Sequence, residues 1–201
     1  MERSTRKRMK VLIACEFSGT VREAFAAKGH NAWSCDFLPS EISGQHIQGD
    51  VLSILADGWD LMIAHPPCTY LTVSGNKWYK DQPPRKSGAL VGEKRREARK
   101  AAVDFFLKLM LCDIPKIAIE NPIGVLSTLY RKPSQVVQPW QFGHGETKAT
   151  CLWLRGLQKL EPTCIVSERK QRMHLLPKTA DRWKIRSRTY QGIANAMADQ
   201  W

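Results

Sequence analysis

The first candidate for chemistry is Cys68, which follows an apolar run of strand length and the pair Pro66 and Pro67. In open α/β sheets, ligands bind at the carboxyl ends of the strands. The two prolines fix φ and remove two backbone donors, so this turn is stiff and cannot extend the sheet. A cysteine in such a turn suits a nucleophile. The alternative is a small buried hydrophobe after an ordinary strand, since free cysteine commonly packs that way.

Glu120 is the candidate partner of Cys68. It follows a second apolar run, residues 114–119, and stands directly before Asn121 and Pro122. If the two strands are neighbours, both side chains face one cleft, where a carboxylic acid beside a thiol suits a proton donor beside a nucleophile. The structural alternative is a carboxylate that caps the segment after the strand.

Three further acids, Glu16, Asp36 and Asp50, follow earlier strand-like runs. Glu16 precedes a turn at Gly19 and a helix, and exposed amides at such a helix N-terminus suit a carboxylate or phosphate. Doubly wound folds bind ribose hydroxyls through an acid at the end of the second strand, which favours Asp36. Each acid alone is also typical of a helix cap or a solvated loop.

The elements that must position these residues alternate between strands and helices. Apolar residues recur at helical spacing in residues 21–28, before Gly29, and in residues 93–111. The alternation predicts an α/β fold, a Rossmann-like domain with a mostly parallel central sheet and helices on both faces. The predicted strands are residues 9–15, 31–35, 47–50, 60–64, 114–119 and 149–154.

Composition narrows the partners and the location. The 201 residues include 31 Lys and Arg against 19 Asp and Glu, and the net charge of +12 favours a nucleic-acid partner, although basic charge alone is not specific. The six cysteines form no C-x-x-C pair and no zinc spacing, so we expect no metal and a reducing cytoplasm. The sequence has no signal-peptide pattern and no apolar run of membrane length, so we expect no membrane contact.

Two polar segments carry dense basic charge. Residues 71–91 lack an apolar period and include Lys77 and Arg85 among aromatic residues, which favours either a functional lid on a nucleic-acid strand or a disordered insert. Near the C-terminus, Arg186 and Arg188 belong to a basic arm suited to phosphate contact. The basic residues of the 93–111 helix are typical of a solvated face.

The order of these motifs resembles the cytosine-5 DNA methyltransferase family, and in particular its compact phage-type members. Residues 65–68 (HPPC) are similar to the family's G-F-P-C nucleophile motif, and residues 120–122 (ENP) to its E-N-V motif. Residues 142–153 are similar to its Y-G-x-P-Q-x-R-x-R-x-F block, with Lys148 in place of the first arginine. The resemblance covers most of the chain.

The resemblance implies S-adenosyl-L-methionine as the cofactor, and no metal. Residues 15–19 are similar to the D-x-F-x-G turn that binds its methionine end, and Asp36 and Asp50 correspond to the acids that bind ribose and adenine. Residues 189–198 resemble the closing helix that flanks the cofactor. The cofactor-binding residues implied in this way are Glu16, Phe17, Ser18, Gly19, Asp36, Asp50, Pro66 and Asn195.

The implied reaction is methylation of cytosine carbon 5 in DNA through a covalent cysteine adduct. Cys68 would add to carbon 6, and Glu120, with a raised pKa, would protonate ring N3. Lys148 would hold the base oxygen or a nearby phosphate. The residues expected to contact the nucleic acid are Pro67, Asn121, Lys77, Arg85, Arg186 and Arg188.

We expect one methyltransferase domain over residues 1–201, in the cytoplasm of a bacterial or phage-infected cell, with a monomer favoured. Residues 71–91 would form a mobile catalytic loop that closes over a flipped base. Residues 155–188 are a reduced basic segment where the family has a large target-recognition domain. Selectivity is then low, or residues 77–100 and 169–188 read the target, or the substrate is a short or single-stranded nucleic acid, RNA or a free nucleotide.

Two other functions stay open. Amino-methyltransferases that act on adenine N6 or cytosine N4 have a D/N-P-P-Y/F turn after the fourth strand, which residues 65–68 partly match. That class needs neither the thiol nor the acid. The other is a non-catalytic relative that binds nucleic acid or a host factor. It is favoured by residues 15–19, which lack the second glycine and the leading aspartate of their motif.

Overall fold

The computed structural model describes residues 7–172, 175–177, 179 and 181–201. Within these residues, helices pack on both faces of a seven-stranded sheet. The strands are β1 Lys10–Ala14, β2 Asn31–Asp36, β3 His46–Gln48, β4 Leu61–Ala64, β5 Lys116–Pro122, β6 Gln135–Val137 and β7 Thr150–Arg155. The helices are α1 Thr20–Ala27, α2 Gly92–Leu111, α3 Leu126–Leu129, α4 Arg182–Ser187 and α5 Gln191–Gln200, with 3₁₀ segments at Val51–Ile54, Val73–Tyr79 and Pro139–Gln141.

The strand order is β3-β2-β1-β4-β5-β7-β6. Strands β1 to β5 pair in parallel, whereas β7 lies antiparallel between β5 and β6. The predicted α/β fold with a mostly parallel sheet is therefore confirmed. The order reverses between β1 and β4, and such a switch point opens a crevice at the carboxyl ends of the strands.

Both faces of the central strands are buried. Successive side chains of a strand point to opposite faces, so Val11 and Ile13 of β1 pack with α1 and α5, whereas Leu12 packs with Phe106 of α2. This two-sided burial explains why the strands are near-continuous apolar runs. Among the residues described above, no helix combines the length and the apolar content needed to cross a membrane.

All six predicted strands form, and their ends move by no more than three residues. Strand β6 was not predicted, because a strand of only three residues is too short to show an alternating pattern in the sequence. Strand β5 runs past its predicted end, since Glu120 pairs with Leu152 of antiparallel β7. Glu120 therefore lies within a strand and not after it.

Arg22 of α1 is buried and links this helix to the segment after β2. Its Nη1 donates to the Oγ atoms of Ser34 and Ser40 at 2.9 and 3.0 Å. Its Nη2 donates to the carbonyl oxygens of Ile42 and Ser43 at 3.1 and 2.9 Å. The two terminal nitrogens of one guanidinium therefore satisfy four acceptors, and three of these hold residues 40–43 beside the helix.

We expect Arg22→Met to lower the free energy of unfolding by about 3 kcal/mol, because buried acceptors lose a charged donor. Urea unfolding followed by circular dichroism measures the change. The control is Lys28→Met at the C-cap of the same helix, where the ion pair of Lys28 with Asp199 is half-exposed. It should cost less than about 0.5 kcal/mol. Equal losses in the two variants would contradict the role given to Arg22.

Candidate active site

The turn that carries Cys68 begins directly after β4 and is held from β5. Asn121 of β5 is buried, and its Nδ2 donates to the Pro66 carbonyl oxygen at 2.9 Å. The Cys68 carbonyl oxygen accepts the Leu71 amide at 2.9 Å. Pro66 is buried, whereas Pro67 and the Cys68 side chain are exposed. The backbone is therefore fixed while the thiol stays accessible, and Asn121, predicted at the substrate, supports the turn.

His65 and Glu120 form the second part of the site. The register of β4 and β5 pairs Ala64 with Ile119, so the next residues along the two strands, His65 and Glu120, come side by side. His65 Nδ1 lies 3.0 Å from Glu120 Oε2, and the two side chains are only 11% and 13% exposed. Thr189 Oγ1 donates to the same oxygen at 3.3 Å. One buried carboxylate therefore accepts two hydrogen bonds.

The surroundings of this pair favour the proton on the histidine. Burial by itself would raise the pKa of Glu120, but the hydrogen bond and charge of His65, with Lys148, lower that pKa to about 2. Burial would likewise lower the pKa of His65, yet the hydrogen bond and charge of Glu120 raise it above its ordinary value. The predicted raised pKa of Glu120 is therefore wrong here, because an imidazolium stands beside the carboxylate.

Lys148 and Arg186 bring positive charge to the thiol. Partial burial raises the pKa of Cys68, while the charges of Arg186 and Lys148 act in the opposite direction. Lys148 Nζ also donates to the carbonyl oxygens of Arg186 and Arg188 at 2.9 and 3.4 Å. The lysine therefore ties the segment before α5 to the site, and both cations favour the thiolate form of Cys68.

Three residues predicted at the nucleic acid are engaged in other contacts. Both Glu41 carboxylate oxygens accept from Arg188 Nη2, at 2.8 and 2.7 Å. Lys77 Nζ and Arg85 Cζ lie 4.8 and 3.8 Å from the ring centroid of Trp78. Among the described residues, no hydrogen bond joins Arg188, Lys77 or Arg85 to Cys68.

The turn after β1 is built around the Glu16 carboxylate. Its two oxygens accept the amide hydrogens of Val21 and Arg22 at 2.7 and 3.2 Å, and the side chain is buried. The prediction that these α1 amides are exposed to a ligand is therefore wrong, because Glu16 occupies them. Gly19 is the N-cap residue with a φ of 74°, a left-handed conformation that glycine adopts without strain.

The other residues of this turn also pack inside the protein. Phe17 is buried, and its ring centroid lies 5.6 Å from that of Trp183 in α4. Ser18 is buried too, and its Oγ donates to Glu16 at 3.2 Å. The turn therefore shapes the crevice and docks α4 beside it.

Asp36 and Asp50 lie at the carboxyl ends of β2 and β3. Their Oδ1 atoms accept the amides of Leu38 and Leu52 at 2.9 and 3.0 Å. In the described part of the chain, the second oxygen of each carboxylate makes no hydrogen bond, and the exposed ring of Phe37 follows Asp36. Acceptors beside an aromatic ring fit the hydroxyls and the base of an adenosine, so these residues fit the nucleoside half of S-adenosylmethionine.

Asn195 lies apart from this group. It is on the exposed side of α5, where its Oδ1 accepts from Gln191 Nε2 at 2.9 Å. With Glu23 and Lys28 it lines a cavity of about 380 Å³ between α1 and α5. Neither Asp36 nor Asp50 lines this cavity, so the structure does not bring Asn195 together with the two aspartates.

Residues 71–91 pack on the basic half of α2. Arg95 is buried, its Cζ lies 5.2 and 4.8 Å from the ring centroids of Tyr70 and Tyr79, and its Nη1 donates to the Leu90 carbonyl oxygen at 3.2 Å. Arg99 Cζ lies 3.4 Å from the Tyr79 ring centroid. The predicted solvated face is wrong for both arginines, because aromatic rings of residues 70–79 stack on them. The mobility of residues 71–91 stays a prediction.

Two residues of this site, His65 and Thr189, were not predicted from the sequence. His65 had one usable signal, its place directly before the two prolines. Thr189 had none, because 69 residues separate it from Glu120 and only the tertiary fold joins them. Residues 173, 174, 178 and 180 of the predicted basic segment lie outside the described residues, and within those that are described no group of three or more His, Cys, Asp or Glu side chains could hold a metal ion.

Neither a protein-family model nor a curated protein matches this chain. A solved structure described as a DNA modification methyltransferase of an E. coli prophage has 13% identity and a TM-score of 0.48, covering 79% of this chain and 52% of its own. The S. pombe Dnmt2 methyltransferase has 16% identity and a TM-score of 0.44, with coverages of 76% and 50%. The Entamoeba histolytica methyltransferase EhMeth has 13% identity and a TM-score of 0.49, with coverages of 87% and 62%.

The chain therefore spans between half and two thirds of the length of these three structures. All three are methyltransferases, the class whose motifs the sequence resembles. The Rossmann-like fold class of this chain follows from its strand order and connections.

We expect Glu120→Gln to move the pKa of His65 below its ordinary value of 6.5. The substitution removes the carboxylate that raises this pKa, and burial, which lowers it, then dominates. In the wild-type protein the pair's contribution to stability is lost as the pH rises through the raised His65 pKa. NMR titration of the imidazole measures the shift, and a His65 pKa that stays raised in the variant would contradict the ion pair.

We expect Arg95→Ala to speed amide hydrogen exchange throughout residues 71–91, because the guanidinium stacks on two tyrosines and bonds the carbonyl of Leu90. Hydrogen–deuterium exchange followed by mass spectrometry measures the rate in this segment. Lys100→Ala, at an exposed position of the same helix, is the control and should leave exchange in that segment unchanged. Equal exchange in the two variants would show that Arg95 does not hold the segment.

Proposed function

We propose that this protein is an S-adenosylmethionine-dependent methyltransferase that methylates carbon 5 of cytosine in DNA through a covalent adduct with Cys68. The observation that carries the proposal is the exposed Cys68 after β4 together with the largely buried Glu120 of adjacent β5, whose charge acts on the thiol. Lys148 and Arg186 lie close enough to act on the thiol. A nucleophile, a proton-handling group and cations thus converge at one end of the sheet, as covalent catalysis requires.

Cys68 has the central role in the proposed reaction. Carbon 5 of cytosine is a weak nucleophile, and addition of a thiolate to carbon 6 converts the ring to an enamine that attacks at carbon 5. The charges of Arg186 and Lys148 support the thiolate form at a position where partial burial opposes it. The turn held by Asn121 keeps the sulfur at the mouth of the crevice.

Glu120 is proposed to face the ring nitrogen N3 of the base. Protonation of N3 makes carbon 6 electrophilic, so addition of the thiolate gives a neutral ring. The hydrogen bonds from His65 and Thr189 fix one carboxylate oxygen and leave the other for the base. Lys148 is proposed to hold the base oxygen or a neighbouring phosphate.

S-adenosylmethionine supplies an electrophilic methyl group. Asp36 and Asp50 would hold its nucleoside half, at the ends of the strands on one side of the switch point. The turn at Glu16 borders the same crevice, and its negative charge is close enough to raise the pKa of His65. The proposed cofactor site and the proposed base site are therefore neighbours, as methyl transfer requires.

Nucleic acid as the substrate is supported by charge and by aromatic surface. The net charge of +12 attracts a polyanion. The charged groups of Lys77 and Arg85 lie over the ring of Trp78, which is ten residues after Cys68 in the sequence. An aromatic plane with two cations suits stacked bases and phosphates. We propose that this segment contacts the strand that carries the target cytosine.

We expect Cys68→Ser to abolish methyl transfer and the trapped adduct with 5-fluorocytosine DNA. Methyl transfer is measured with tritium-labelled S-adenosylmethionine, and the covalent adduct is detected on denaturing gels. Duplex DNA, single-stranded DNA, RNA and cytidine nucleotides are compared as substrates. Cys164→Ser, at the other exposed cysteine, is the matched control and should retain both. Full activity of Cys68→Ser without an adduct would instead establish amino-group methylation.

Calorimetric titration with S-adenosylmethionine tests the cofactor independently of the substrate. Binding by the wild-type protein and by Cys68→Ser is expected. A folded protein that gives no binding heat and no transfer would be a non-catalytic relative, and the proposed function would be wrong.

A further inference from the structure

We propose that His65 is a positioning residue for the reaction, and that it stores the proton which Glu120 passes to the base. The inference rests on the proposed function. It goes beyond the motif resemblance, because residue 65 aligns with the glycine of G-F-P-C, and no role follows from that match.

One ring nitrogen of His65 has a partner to which it can pass a proton, and the other is buried without a hydrogen-bond partner among the described residues. Its Nδ1 is 3.0 Å from Glu120 Oε2, a distance at which a proton moves between the two atoms without rearrangement. Its Nε2 is buried and has no hydrogen-bond partner among the described residues. A merely structural histidine would be expected to satisfy both nitrogens.

His65 is not the sole hydrogen-bond partner of this carboxylate. Thr189 Oγ1 already donates to the same Glu120 oxygen, at 3.3 Å. A hydroxyl provides orientation but no titratable proton. His65 therefore adds what Thr189 lacks, a proton that can be lost near neutral pH.

The charges that face His65 come from three other elements. Glu120 on β5 and Glu16 after β1 raise its pKa, whereas burial and Lys148 before β7 lower it. Cys68, three residues along the same turn, is itself influenced by Glu120 and Lys148. The carboxylates prevail over burial and Lys148, so the surroundings of His65 favour its protonated form.

The proposed transfer balances in protons and charge. When a cytosine displaces water from the pair, the Nδ1–H bond breaks and an O–H bond forms on Glu120, which turns an ion pair into two neutral groups suited to a dry site. That O–H bond then breaks as N3–H forms and the Cys68 thiolate adds to carbon 6. At this stage His65 is neutral and Glu120 is a carboxylate. Once carbon 5 carries the methyl group, its own proton leaves to solvent water, and elimination of the Cys68 thiolate then returns the N3 proton through Glu120 to His65.

The test is His65→Asn, because the asparagine amide can donate to Glu120 like Nδ1 but holds no titratable proton. The pH profile of kcat/KM for methyl transfer is compared with an NMR titration of His65 in the wild-type protein. We expect one kinetic pKa to match the imidazole in the wild type and to be absent in the variant. At pH 8 the kcat of the variant should fall by about 10²-fold, with an unchanged KM for S-adenosylmethionine.

His30→Asn, before β2 at the opposite end of the sheet, is the matched control and should keep the wild-type profile. An unchanged pH profile in His65→Asn would overturn the inference and leave the proposed function intact, whereas a wild-type protein without methyl transfer would overturn both. If His65→Asn does not fold, the kinetic pH profile and the NMR titration of the wild-type protein still test the inference. A kinetic pKa that matches the imidazole titration supports the inference, and the lack of any match overturns it.

Discussion

The site depends on the parallel pairing of β4 with β5. Its register brings His65 beside Glu120. The next residue of β5, Asn121, then donates a hydrogen bond to the carbonyl oxygen of Pro66, the residue after His65. Antiparallel β7 then continues the ladder of β5 beyond the end of β4, so the carboxylate sits on a rigid strand. Cys68 thus gains a fixed turn on one strand and a fixed partner on the next.

A buried carboxylate at this position needs compensation, and the surrounding elements supply it. Burial disfavours the charged form of Glu120, but an imidazolium, a hydroxyl and the Lys148 ammonium together keep it ionised. The charges alternate across the carboxyl ends of the strands, from Glu16 through His65 and Glu120 to Lys148. This alternation allows four ionisable groups to share a largely buried region.

Helix α4 and the residues that follow it, up to Thr189, connect the two sides of the crevice. Trp183 packs on Phe17 beside the proposed cofactor site, and Arg188 pairs with Glu41 in the segment after β2. Thr189 then reaches Glu120 on the proposed base side. A short basic segment therefore contacts both halves of the site.

The alternation of strands and helices, the two neighbouring apolar strands that precede Cys68 and lead to Glu120, and the stiffness of the proline turn could be predicted from the sequence, because they depend on local periodicity and on proline geometry. The end of β5 could not, since its pairing with β7 extends the strand past Glu120. The sequence by itself did not determine ionisation states or side-chain partners. Glu16 as a cap for α1 amides and His65 as the cation beside Glu120 were decided only by tertiary structure, since hydrogen bonds and charge effects depend on distances between segments far apart in the chain.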